Sequence, residues 1–300
     1  MNSKLKLVLL ILALPLLLFV MMDSAMAAGD WQADPATGCK VWNGNPQQGE
    51  TFSWTGGCKD GFLDGVGVLQ WMIDGKPSEK YEGPYERGYM HGKGVRTWTD
   101  GRRYEGDFVN DKRTGKGVLT LADGSRYEGD YANDRQHGKG VYTWANDGRY
   151  EGDFRNGLFS GKGVRTWPNG DRYEGDYFNE KRTGKGVYTW ANGDRYEGDF
   201  IDNNRTGKGV YVWADGSRYE GDFANNRLHG QGVRHWANGV RYTGDYVDDM
   251  RTGKGTYVWA NGDRYEGDFL NNKVHGYGVY TYKDGRVLRG RFENNQFVGP

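Results

Sequence analysis

Glycine–lysine–glycine triplets, histidines, paired carboxylates and tryptophans recur along this chain, and each is a residue type from which a site can be built. Gly184-Lys185-Gly186 and its copies invite comparison with a phosphate-cradling loop. That loop needs GxxxxGK, then Ser or Thr, then a helix. Here Gly follows Lys and strand-forming residues follow Gly, so the triplet reads as a turn. His91, His137, His229 and His275 share one place in the repeat but stand at least two repeats apart, about 19 Å in stacked strands, too far for a shared metal. Hydrogen bonding within a turn is their expected role. Glu105, Glu128, Glu151 and Glu174, with Asp107, Asp130, Asp153 and Asp176, form acidic ladders of the kind that hold Ca²⁺ or work as acid and base. Arg126, Arg149, Arg172 and Arg195 recur beside them, and cross-strand ion pairing on a wet face is the simpler reading. A catalytic pair also needs two different environments, whereas a ladder gives every copy the same one. Exposed tryptophans stack on sugars and peptides. The row Trp98, Trp144, Trp167, Trp190, Trp213, Trp236 and Trp259 is therefore a candidate surface, or else a cover for its own sheet under Arg stems.

The elements that carry these residues repeat every 23 residues. Tyr81, Tyr104, Tyr127, Tyr150, Tyr173, Tyr196, Tyr219, Tyr242 and Tyr265 open nine consecutive units without insertion. Such a period marks units that cannot bury an apolar face alone and are stabilised by stacking. With Tyr as position 0, the unit at Tyr173 reads YEGDYFNEKRTGKGVYTWANGDR. It contains two strand-like segments joined by Gly-x-Gly, and it closes on Asn-Gly or Asp-Gly, a strong hairpin signal. A two-residue type I′ turn at Asn192-Gly193 predicts Thr189 opposite Tyr196 and Val187 opposite Gly198. That register puts Tyr, Gly, Phe or Tyr, Val and Thr on one dry face. Position 14 is Val in eight units and Thr256 in the other, which reads as interior. Position 15 varies through Arg96, Leu119, Tyr142, Arg165 and Tyr188, which reads as wet. Glu, Asp, position 15, Trp at position 17 and Arg at position 22 are expected on the opposite face. The fold class is all-β: an elongated single-layer antiparallel sheet of stacked 23-residue hairpins, roughly 90 Å long, curling to cover its aromatic side.

Composition agrees with a folded array. Fifty Gly and 27% charged residues accompany 15% aromatics placed periodically, which argues against disorder. Residues 1–27 read as a signal peptide: Lys4 and Lys6, an apolar run from Leu7 to Met22, then Ser24-Ala25-Met26-Ala27. The expected location is exported, periplasmic or extracellular. Removing the signal leaves 38 basic and 39 acidic residues, a balance that offers nothing to nucleic acid. Cys39 and Cys58 are an even count in an oxidising compartment and are expected to pair, closing a loop worth about 3 kcal/mol. The expected organisation continues with a cap segment over 28–53, a degenerate repeat over 54–80, nine repeats over 81–287 and a half-repeat cap over 288–300. In that last piece Arg289 and Arg291 replace Glu and Asp.

Tyr-Glu-Gly-Asp-Phe, the Thr/His-Gly-Lys-Gly turn and the Trp-Ala-Asn-Gly close together resemble the MORN (membrane occupation and recognition nexus) repeat over nearly all of residues 54–300. The resemblance implies an elongated sheet of hairpins used as an interaction module, often self-associating and sometimes tied to membranes. Catalysis in that family usually resides in an attached domain, and none is expected here. The expected function is a non-catalytic scaffold, without cofactor or metal, that presents a β surface to a protein partner or to a second copy. Its candidate surface is Arg96, Tyr142, Arg165, Tyr188, Tyr211 and Arg234 at position 15 with Trp144, Trp167, Trp190 and Trp213. Two alternatives stand beside it: a lipid adaptor through Lys116, Lys162, Lys185, Lys208 and Lys254, and a glycan binder through the Trp row.

Overall fold

The structure is a computed structural model that describes residues 29–300; the expected signal segment lies outside the described residues. Among the described residues the chain forms 26 strands and no helix. From Gly92 onward consecutive strands pair antiparallel, and Lys76–Glu86, Phe62–Ile73 and Glu50–Trp54 continue the same open sheet. One unit is represented by the strands Arg172–Phe178 and Lys181–Thr189, followed by Arg195–Ile201 of the next unit.

The type I′ turn lies at the end of the hairpin opposite to the expected one. Phe178 pairs with Lys181 across the two-residue loop Asn179-Glu180, whose φ values of 47° and 66° are both positive. At the other end, the Trp190 N–H donates to the Asp194 carbonyl (2.9 Å) and the Gly193 N–H to the Trp190 carbonyl (3.0 Å). Ala191-Asn192-Gly193 is thus a three-residue loop in which Gly193 alone takes a positive φ, 95°. One extra loop residue moves the register by one. Thr189 pairs with Arg195, Tyr188 with Tyr196 and Val187 with Glu197. The predicted faces are corrected accordingly, because side chains alternate and a one-residue slip exchanges the two sides. Position 15 and Trp lie with Tyr; Val lies with Glu and Lys.

Each complete unit also carries a bulge. In the unit at Tyr173 the register shifts after Gly175, and the Asp176 carboxylate accepts the Lys185 N–H at 3.2 Å. The ladder aspartates are therefore pieces of the turn, and bulges of this kind bend a strand and raise its twist.

The core is a single spine. The Tyr rings at position 0 are at most 1% exposed. Tyr173 lies flat over Gly175 and Gly186, where a Cβ on either glycine would collide with the ring, and its hydroxyl donates to the Asp176 carbonyl at 3.1 Å. It meets Tyr177 of its own unit edge-on at 5.2 Å and Phe200 of the next at 5.1 Å. The same pair of contacts repeats through the array, each worth about 0.5–1.5 kcal/mol beyond burial. The spine is covered by the protein's own side chains. The Arg182 guanidinium sits 5.6 Å from Tyr173 and 5.7 Å from Phe200, tied to the next turn by its backbone N–H donating to Asn203 Oδ1 at 2.9 Å.

The N-terminal cap is built differently. Asp30–Ala33 pairs with Lys40–Asn43, and the long strand Phe62–Ile73 joins this hairpin to the array through one parallel bridge, Lys40 to Phe62. Trp31, Trp42, Phe62 and Tyr89 cluster at 4.9–6.3 Å between ring centres. Cys39 and Cys58 are joined, with Cα atoms 6.0 Å apart.

Candidate binding surface

The two faces of the sheet offer different chemistry, and the register decides which residues belong to each. The position-15 and Trp side chains form a second aromatic row lying on the spine. Tyr188 packs tilted against Trp190 at 4.5 Å and Trp190 against Tyr211 at 5.2 Å, and Tyr211 continues to Trp213 at 4.6 Å. The Tyr188 hydroxyl donates to Asp171 and that of Tyr211 to Asp194, both at 2.8 Å, which ties each unit to the one before. Burial and the neighbouring Asp171 push the Tyr188 hydroxyl up to about 12, so it remains a donor at neutral pH.

The arginines of that row are inserted between rings. Arg165 is only 6% exposed, with its guanidinium 3.8 Å above Trp144 and 5.3 Å from Trp167, and it is paired with Asp147. Arg234 lies 4.2 Å from Trp213 and 4.7 Å from Trp236. Arg96 grips Glu79 with two bonds of 2.7 and 2.8 Å beside Trp98. Tyr142 packs on Trp144 at 4.6 Å. The structure does bring together Arg96, Tyr142, Arg165, Tyr188, Tyr211, Arg234, Trp144, Trp167, Trp190 and Trp213, but as half-buried or buried packing. Their expected wet setting is corrected: a long amphipathic side chain tolerates variation there because its flat body packs while its tip reaches a partner.

The opposite face carries an open trough that the sequence reading did not find. It runs across the strands from Glu82 to Thr243 and encloses about 2090 Å³. Every unit contributes the same parts. Gly186 and Gly198 are paired backbone in the floor, with Val187 beside them; Lys185 stands on one wall and Glu197 on the other. A Cβ on Gly186 would point at Tyr173 and one on Gly198 at Tyr196, both on the aromatic side, so the floor between the Lys and Glu rows is backbone. The signal for it was the constancy of Lys, Val and Glu at positions 12, 14 and 1, all facing one way once the register is known.

Ion pairs hold both walls. Lys185 Nζ lies 2.7 Å from Asp199 of the next unit, and Arg195 pairs with Glu197 along its own strand at 2.6 Å, a correction to the expected cross-strand Arg pairing. Lys116, Lys162, Lys208 and Lys254 are matched by aspartates in the same way, so the Lys row is a neutralised wall and not a basic edge. Gln231 takes the place of Lys in one unit and donates to Asp245. Beyond the Lys row, next to the turns, Phe178 and Ile201 are neighbouring exposed apolar side chains, each 61% accessible. Histidine contributes mainly backbone to these surfaces: the carbonyls of His91 and His229 accept from Tyr81 and Tyr219.

Solved structures resemble this sheet loosely. The TCP10 domain of Danio rerio CPAP in complex with a peptide of Danio rerio STIL is 14% identical at a TM-score of 0.37, covering 66% of this chain and 93% of that one. The SAS-4 (dCPAP) TCP domain of Drosophila melanogaster, in complex with a proline-rich motif of Ana2 (dSTIL), is 18% identical at a TM-score of 0.30, with 59% and 90% covered. No curated protein matches the chain. The MORN repeat model matches ten stretches, the last nine in phase: residues 54–73, 81–102, 104–126, 127–149, 150–172, 173–195, 196–218, 219–241, 242–264 and 265–285. These stretches cover most of the sequence, and the chain belongs to the MORN-repeat family.

Proposed function

We propose that this chain is an exported, non-catalytic scaffold that binds a protein partner along the polar trough. The observation that carries this reading is the contrast between the two faces. The aromatic side has its rings stacked, its arginines inserted and its hydroxyls bonded, whereas the trough presents the same open groups from unit after unit. A non-catalytic role is supported by that repetition, since an acid and a base need unlike surroundings and neighbouring units supply like ones. The matched Lys–Asp pairs count against attraction of an anionic membrane, and the half-buried packing of the Trp row counts against its use on glycans.

A photo-crosslinking amino acid placed at Val187, in the trough, and at Thr143, an exposed strand end outside its lining, tests the reading in the cell envelope. The expected result is a discrete protein adduct from position 187 and none from position 143. A self-adduct would identify the partner as a second copy. Absence of any adduct at 187, or equal labelling at both positions, would overturn the proposal.

A further inference from the structure

We propose that the trough takes a polyproline II chain laid along its axis, one turn of ligand per repeat unit; this rests on the trough-binding reading above. The trough crosses the strands, so its chemistry recurs once for every two strands. Strands lie about 4.7–4.9 Å apart, which makes the unit about 9.4–9.8 Å long. A polyproline II helix has three residues per turn and a rise of about 3.1 Å, so it returns the same face every 9.3 Å or so. Over seven units the mismatch grows to no more than about 3.5 Å, well under half a turn.

The other regular backbones do not keep step. Three residues of extended strand cover about 10 Å, but side chains alternate, so successive units would meet opposite faces. An α-helix rises about 5.4 Å per turn, close to 1.8 turns per unit, and presents a different face each time.

Each unit has the groups such a ligand uses. Polyproline II has no internal hydrogen bonds, so its carbonyls are free acceptors. Lys185 Nζ holds Asp199 with one of its three N–H donors and has two left to give. Val187 offers methyl groups to a prolyl ring. Glu197, with one oxygen on Arg195, has the other for a ligand N–H. Lys and Glu line the walls about equally, so the matching ligand carries little net charge and its binding depends weakly on salt.

The test is fluorescence anisotropy of the purified chain with labelled neutral peptides: (Pro-Pro-Ser)₃, (Pro-Pro-Ser)₆, a flexible Gly-Ser peptide and a helical Ala-rich peptide, the last two matched in length to the longer proline peptide. The expected result is binding of the proline peptides alone, at least tenfold tighter for the longer one and changed less than threefold between low and physiological salt. Val187→Asp with Val210→Asp should weaken it more than tenfold. Lys185→Met with Lys208→Met, which spares the floor, should weaken it severalfold, and Phe178→Ser should leave it unchanged. Equal binding of the flexible or helical peptide, indifference to both double variants, or capture of peptidoglycan fragments in place of the proline peptides would overturn the proposal. If the proline peptides fail while the crosslinker at position 187 still yields a protein adduct, the ligand chemistry is wrong and the trough reading survives. If both fail, both fall.

Discussion

The two sides of this sheet are made by the same strands, yet one is finished and the other is open. On the aromatic side every ring at position 0 is covered, and variation at position 15 is absorbed by stacking Arg, Leu or Tyr against neighbouring rings. On the trough side the residue types hardly vary, and Lys185 remains 71% exposed although it is ion-paired. Constancy without burial means that the trough residues contribute little to folding through packing. The difference teaches that residue variation inside a repeat is a poor guide to burial when the side chains are long and flat. It also makes the faces separable by mutation, because stability should respond to one and binding to the other.

The largest expected effect is Tyr173→Ala. The ring is fully buried over two glycines and touches aromatic residues of two units, so its removal leaves a cavity that the backbone cannot close. A loss of about 3–5 kcal/mol is expected by chemical denaturation. Contacts in an array are mainly between nearest neighbours, so the single unfolding transition should also split into two. A loss below about 1 kcal/mol would break the claim that the spine holds the array together.

How much of this was legible in the sequence follows from particular residues. The 23-residue period, the hairpin unit and the burial of Tyr and Phe were readable, because Tyr173, Gly175 and Tyr177 share a face whatever the register. The relation between the two strands was not. Asn192-Gly193 suits a two-residue type I′ loop, and equally a three-residue loop with Gly193 alone in the left-handed region. The deciding signal lay elsewhere. Asn110-Asp111, Asn133-Asp134, Asn225-Asn226 and Asn271-Asn272 are pairs in which both residues tolerate positive φ, and that is where the type I′ turns sit. Fixing the turn there leaves the extra residue at the Trp end and exposes the trough. The Arg165 sandwich was hidden for a different reason: it depends on Trp144 of the preceding unit, a neighbour that single-unit reading does not supply.

Asp111 sharpens the comparison, because it is a charge caught on the finished side. Burial is the main cause of its raised carboxyl pKa, about 6, only partly offset by the Met90 N–H bond at 2.7 Å and by Arg96. A folded pKa above the unfolded value of about 3.8 means the folded chain binds the proton more tightly. Stability should therefore rise as pH falls from about 6 to about 4 and stay flat above that window. Asn203, Asn226, Asn272 and Asn295 hold the same turn position without charge. Asp111→Asn should gain on the order of 2–3 kcal/mol at pH 7, and the gain should vanish below about pH 4. Denaturation across that range checks it; a gain that persists at pH 4 would assign the effect to packing.

Arg165→Ala probes the second aromatic row. The side chain supplies stem packing and a cation between two indoles, so a loss of about 1–2 kcal/mol is expected, with a change in Trp fluorescence as Trp144 becomes wetter. Replacing it by Tyr, the residue of the next unit, should recover most of that loss.

The smallest expected effect belongs to the trough. Lys185→Ala removes a pair with Asp199 in which the lysine is largely exposed, and such pairs are worth roughly 0–1 kcal/mol. The Lys185 backbone N–H that closes the bulge on Asp176 is kept in the variant, so the turn retains its bond. The change in denaturation midpoint should therefore fall below about 0.5 kcal/mol, and salt should shrink it further because it is a screened surface interaction. A loss comparable to that of Arg165→Ala would mean that the Lys row braces the fold, and the division of labour between the two faces would fail.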